Sequence, residues 1–145
     1  MDQDLHKELD LIQGVISRMA NNSFLIKGWA MTLMSALIAF GKDSILASTH
    51  GVFYLVAMAG ILVPFWWLDA FYLRQERLFR KIYQRAVQDP SANSRTRFDM
   101  NPNDLLGAVQ SVWKIMLTDF MKWFYLSFLS LILLAILAIF TGFFS

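Results

Sequence analysis

Two ionisable side chains stand inside runs that are otherwise apolar. Lys27 lies near the start of Phe24 to Gly41, and Asp69 ends a stretch, Gly51 to Leu68, that carries no charge over 18 residues. A charge next to lipid is costly and needs a partner, a watery cavity or a route to the interface. If the two runs are antiparallel spans, both charges come to a similar depth, which predicts a Lys27–Asp69 ion pair within or between subunits. Snorkelling of Lys27 with Asp69 at the interface, a structural pair holding the hairpin, and a pore-lining or gating role all stay open at this stage.

The second concentration of charge follows at once. Arg74, Arg77, Arg80, Lys81 and Arg85 recur on one continuation of the second run, with Arg74, Arg77 and Lys81 sharing a helix face. They read as a membrane anchor in contact with anionic lipid or as a site for an anionic nucleotide or oligonucleotide, which Arg95 and Arg97 could close. Arginine forks suit phosphate. No pattern of paired carboxylates, Ser-His-Asp, glycine-rich phosphate loop or HExxH is present. The chain has no cysteine and only two histidines, His6 and His50, which the topology below puts on opposite sides of a membrane. The expectation is a protein that is not an enzyme and needs no cofactor.

The elements that must position these residues follow from composition and period. Of 145 residues, 57% are hydrophobic and only 17% charged, more apolar surface than a soluble domain of this size can bury. Residues 2–20 predict an amphipathic helix with a seam at Leu5, Leu9, Ile12, Ile16 and Met19, to be packed against its own subunit, on an oligomer axis or on a membrane surface. Its acids at Asp2, Asp4, Glu8 and Asp10 do not suit a cleavable signal peptide. Asn21, Asn22 and Ser23 predict a bend or a new helix start. A first span covers 24–41. A second covers 51–73, with Pro64 inside it, and continues to 87 as a basic helix. A loop covers 88–102, an amphipathic helix 103–122, and a third span 123–144 of 22 uncharged residues.

Seven basic residues lie between 74 and 97, against Lys42 alone in the connection between spans one and two. The positive-inside rule then puts the N-terminus and 74–122 in the cytoplasm and the C-terminus outside. The fold class predicted is all-α: three transmembrane helices with cytosolic helical extensions, assembled as an oligomeric bundle. Three helices alone leave no aqueous path, so conduction requires a homo-oligomer with one helix per subunit on the axis. Span one, with Thr32 and Ser35, is the lining candidate. The polar stripe is short, and a non-conducting scaffold that recruits a cytosolic partner is the alternative.

Two stretches carry a resemblance. One is Arg18-Met19-Ala20-Asn21-Asn22-Ser23-Phe24-Leu25-Ile26-Lys27-Gly28-Trp29. The other runs from Phe65-Trp66-Trp67-Leu68-Asp69-Ala70-Phe71-Tyr72-Leu73 into Arg74-Gln75-Glu76-Arg77-Leu78-Phe79-Arg80. They resemble small bacterial membrane proteins that accompany nucleotidyltransferases in antiphage defence, the Hailong-type effectors. The resemblance covers roughly the first 90 residues. It implies an oligomeric inner-membrane channel, controlled by a nucleotide from the partner enzyme, that depolarises the infected cell. It identifies no ligand site, although Lys27 and Asp69 both lie within the matching stretches.

Overall fold

The computed structural model describes residues 3–46 and 50–141; residue 2 of the first predicted helix and residues 142–144 of the third predicted span lie outside them. The described residues are helical, without strands. Helix α1 runs Gln3–Leu46, α2 Gly51–Gln88, a 3-10 helix Asn103–Ala108, α3 Val112–Met116 and α4 Asp119–Phe140. Parts of α1, α2 and α4 are long and apolar enough to cross a membrane, which is the architecture of a membrane protein.

α1 is one helix of 44 residues, about 66 Å long. The break predicted at Asn21–Ser23 does not occur. Polar residues can remain helical where their side chains find partners beyond their own backbone, and Ser23 finds one on α2 (below). α2 likewise continues through Pro64 to Gln88. The two helices run antiparallel as a hairpin. Near its connection, Gly41 packs directly on the ring of Tyr54, where a β-carbon would have no room. The Tyr54 hydroxyl donates to the Leu37 carbonyl at 2.8 Å.

The hairpin has two cores. In the span region Ala30, Met34, Leu55, Met58, Leu62, Met121, Tyr125 and Ile132 are buried together. Beyond it, Ile12 and Ile16 of α1 pack with Ile82 and Ala86 of α2, with Leu9, Phe79 and Tyr83 around them. The amphipathic seam of residues 2–20 is therefore used within the subunit and is not left for an oligomer axis.

The predicted single helix over 103–122 is replaced by three pieces. Val109 is extended, with φ −124° and ψ 142°. Ser111 starts α3 by accepting from the Lys114 amide. Thr118, also extended, precedes α4 while its hydroxyl donates to the Ile115 carbonyl at 2.7 Å. Gly107, the β-branched Val109 and hydroxyl side chains bonding their own backbone all weaken helix here. The breaks turn Ile115 and Met116 inward and leave Trp113, Leu117 and Phe120 exposed, so these residues do not share one buried face.

The connection after α2 is latched to α1 by a buried ion pair. The Arg95 guanidinium forms a two-pronged contact with Glu8, its Nη2 donating to Oε2 at 2.9 Å, and the Phe98 amide donates to Glu8 Oε1 at 2.9 Å. Arg95 Nε also donates to the Asp89 carbonyl at 3.2 Å. The Asp89 carboxylate accepts from the Asn93 and Ser94 amides. Those two amide bonds hold its carboxyl below the usual carboxylate range. Ala92 and Phe98 take left-handed backbone at φ 53° and 59°, which costs a non-glycine residue about 1–2 kcal/mol and is tolerated where surrounding contacts fix it.

The hydrogen bonds from Arg95 hold Glu8 below its ordinary value of 4.5, and they outweigh the opposing effect of burial. A depressed folded-state pKa gives stabilisation that is present above the unfolded value and is lost as pH falls through the folded one. The latch should therefore hold at neutral pH and release only below pH 4.5. Hydrogen-exchange protection at the Phe98 amide should be high at about pH 7, fall towards about pH 3, and be low at both in Glu8→Gln. Equal protection at both pH values would contradict the assignment.

Candidate functional site

The span region is closed by one polar cluster. Asp69 on α2 is fully buried, with Lys27 Nζ of α1 at 2.7 Å from Oδ1 and 2.6 Å from Oδ2. Ser23, one turn before Lys27 on α1, donates its hydroxyl to Oδ1 in a short contact. Tyr125 of α4 donates its hydroxyl to Oδ2 at 3.0 Å. Lys27 Nζ also donates to Ser23 Oγ at 3.1 Å and lies 5.7 Å from the centre of the Phe120 ring. Three helices thus converge on one carboxylate.

Each position follows from helix geometry. Ser23 and Lys27 are four residues apart and share a face of α1, the face that also buries Ile16, Ile26, Ala30 and Met34. Tyr125 reaches the site because its ring stacks on Trp66, 5.6 Å between centroids. Trp66 in turn donates its indole N–H to the Met116 carbonyl at 3.1 Å. The pair predicted from depth forms within one subunit. Ser23 and Tyr125 were not among the candidates. Ser23 reads in sequence as a helix cap, and Tyr125 sits in a run so apolar that it suggests lipid contact all round. A lone hydroxyl at the inward position of such a run is the signal that was available.

Chemically, the cluster is closed. Both carboxylate oxygens accept two donors each, and the ammonium is spread over the carboxylate, the Ser23 hydroxyl and the Phe120 face. This neutralises charge at the membrane border and fixes helix rotation. Among the described residues no group of three or more His, Asp or Glu side chains could hold a metal ion.

The basic residues divide. Arg77, Arg80 and Lys81, with Gln84, line one wall of a cleft of about 280 Å³ whose other wall is Ala108, Val109 and Gln110. Arg80 is paired with Glu76 at 2.8 Å. Arg74 donates to the Gln110 carbonyl at 3.2 Å and holds that opposite wall. Arg85 is not part of this cleft; it borders a smaller one with Ile82, Arg95 and Asn101. Arg95 does not close the basic cleft as predicted, because it is committed to Glu8, and Arg97 donates to the Pro90 carbonyl at 3.3 Å. Thr32 and Ser35 are exposed on α1, on the side opposite the Asp69 cluster.

Comparison of the chain with protein-family models, with curated proteins and with solved structures finds no match.

The cluster predicts strong coupling. Breaking a buried pair by removing one partner costs about 3–5 kcal/mol, so Lys27→Met or Asp69→Leu alone should destabilise the protein in detergent by that order. The double variant should recover at least about 1 kcal/mol of the summed loss. Tyr125→Phe should cost about 1.5–3 kcal/mol, as for a hydrogen bond to a charge. Unfolding free energies that add across the Lys27/Asp69 cycle would contradict a closed pair.

Proposed function

We propose that this membrane protein works as an oligomeric channel in which α1 faces the axis. One observation carries the proposal. The face of α1 directly opposite its packing face comprises Gly14, Ser17, Asn21, Leu25, Gly28, Thr32, Ser35 and Ala39, all exposed. At 100° per residue these positions lie within about a quarter turn of one another. Gly14 and Gly28 have open space where a side chain would stand. The exposed face of α4, by contrast, is Leu126, Leu131, Leu133, Leu134, Leu137 and Phe140, as expected against lipid. Small and hydroxyl-bearing residues within an apolar span suit close helix approach or a wetted path. The interior of a single subunit is filled by Met34, Leu55, Met58, Leu62 and Ile132, so the path runs between subunits.

The asymmetry of basic residues supports a cytosolic location for the loop after α2. The basic cleft on that side supports control by an anionic ligand, with Arg77, Arg80 and Lys81 as its contacts. The resemblance to Hailong-type effectors supports a nucleotide or oligonucleotide from a partner nucleotidyltransferase as that ligand, and loss of membrane potential in the bacterial inner membrane as the outcome. The Asp69 cluster couples the cytosolic and membrane halves of α1.

The test is conductance across planar bilayers containing the purified protein, with and without oligonucleotides. Discrete current steps are expected, altered by nucleotide. Joint replacement of Arg77, Arg80 and Lys81 by Gln should abolish the nucleotide effect and preserve the steps. A silent bilayer, with the protein inserted and oligomeric, would overturn the channel and favour the scaffold that recruits a cytosolic partner through its cytosolic helices.

A further inference from the structure

A second cleft, wholly apolar, lies at the membrane border. It encloses about 470 Å³ between Val63, Pro64, Trp67 and Leu68 of α2 and Trp113 and Met116 of α3. Its depth is fixed by contacts. The Trp66 indole holds the Met116 carbonyl, so α3 hangs at the level of Trp66, inside the uncharged stretch Gly51–Leu68. At the other end of the same segment, Arg74 holds the Gln110 carbonyl. Gln110 therefore stands at the polar border and α3 descends from it into the apolar layer. The walls remain open. Val63 is 50% exposed, and Trp113 is 68% exposed.

Tryptophan placement marks the same level. Trp66 and Trp67 precede Asp69, Trp29 follows Lys27 by two residues, Trp113 walls the cleft, and Trp123 lies 5.9 Å under Lys122 Nζ. All five tryptophans of the chain therefore gather at one membrane face, where indoles prefer to sit.

We propose that this cleft is a phospholipid site: it seats one acyl chain of a glycerophospholipid from the leaflet at the tryptophan end. At hydrocarbon depth an open apolar cavity has hydrocarbon as its solvent, and the walls carry no polar group that a headgroup or nucleotide would need. Pro64 has no amide to hydrogen-bond along α2, and its ring forms part of the floor. The site depends on membrane insertion and not on the channel proposal.

The test uses the full chain reconstituted in vesicles of phosphatidylglycerol and phosphatidylethanolamine, extracted gently and weighed by native mass spectrometry. One retained phospholipid per chain is expected. Val63→Trp, which fills the cleft, should lose it. Because Val63→Trp could disturb packing, Trp113→Phe serves as a second variant. Vesicles with bromine-labelled acyl chains should quench the native protein strongly and Trp113→Phe distinctly less. Retention equal in the native protein and Val63→Trp, or quenching unchanged in Trp113→Phe, would overturn the site. So would a lipid-free cleft with an oligomeric mass that changes in Val63→Trp, which would show a second copy there.

Discussion

The structure turns on one carboxylate that cannot be left alone. Asp69 is fully buried at the edge of an apolar span, where an uncompensated charge would cost several kcal/mol. Its four contacts come from Ser23, Lys27 and Tyr125 on two other helices. Between helices in lipid there is little hydrophobic drive for association, and polar contacts and packing carry more of the specificity. The cluster therefore sets the depth of α1 against α2, the rotation of α1, and the register of α4. Once Ser23 and Lys27 point inward, the Thr32 and Ser35 face of α1 must point outward.

A second buried pair does the same for the part of the hairpin outside the span. Glu8 and Arg95 join the start of α1 to the connection after α2, and the small core around Ile12, Ile16, Ile82 and Ala86 lies between. α1 passes without interruption from one ion pair to the other.

Much of this was legible because charges inside apolar runs are conspicuous. Lys27 and Asp69 stood out for that reason, and the antiparallel hairpin that brings them together follows from two apolar runs separated by a short connection. The partners were not legible. Ser23 has the local signature of a helix cap, and only the presence of Asp69 across the interface makes it a hydrogen-bond donor in an unbroken helix. Tyr125 is one aromatic residue among many until its hydroxyl is placed in space. Arg95 looked like one more cation of a basic patch, whereas its partner, Glu8, lies 87 residues away among the acids of the first helix. The breaks at Val109 and Leu117–Thr118 depend on tertiary contacts that reward inward burial of Ile115 and Met116, and the apolar period from Leu105 to Phe120 conceals them.

The proposed channel requires the outward face of α1 to meet water within the membrane. The chain has no cysteine, so a single Ser35→Cys provides a clean reporter, with Leu134→Cys on the outer face of α4 as the lipid-facing control. Thiolates react only where water reaches them. A charged, membrane-impermeant thiol reagent should label Ser35→Cys in intact proteoliposomes and leave Leu134→Cys unlabelled. If Ser35→Cys is as inert as Leu134→Cys, the face opposite the Asp69 cluster is dry and the channel account fails.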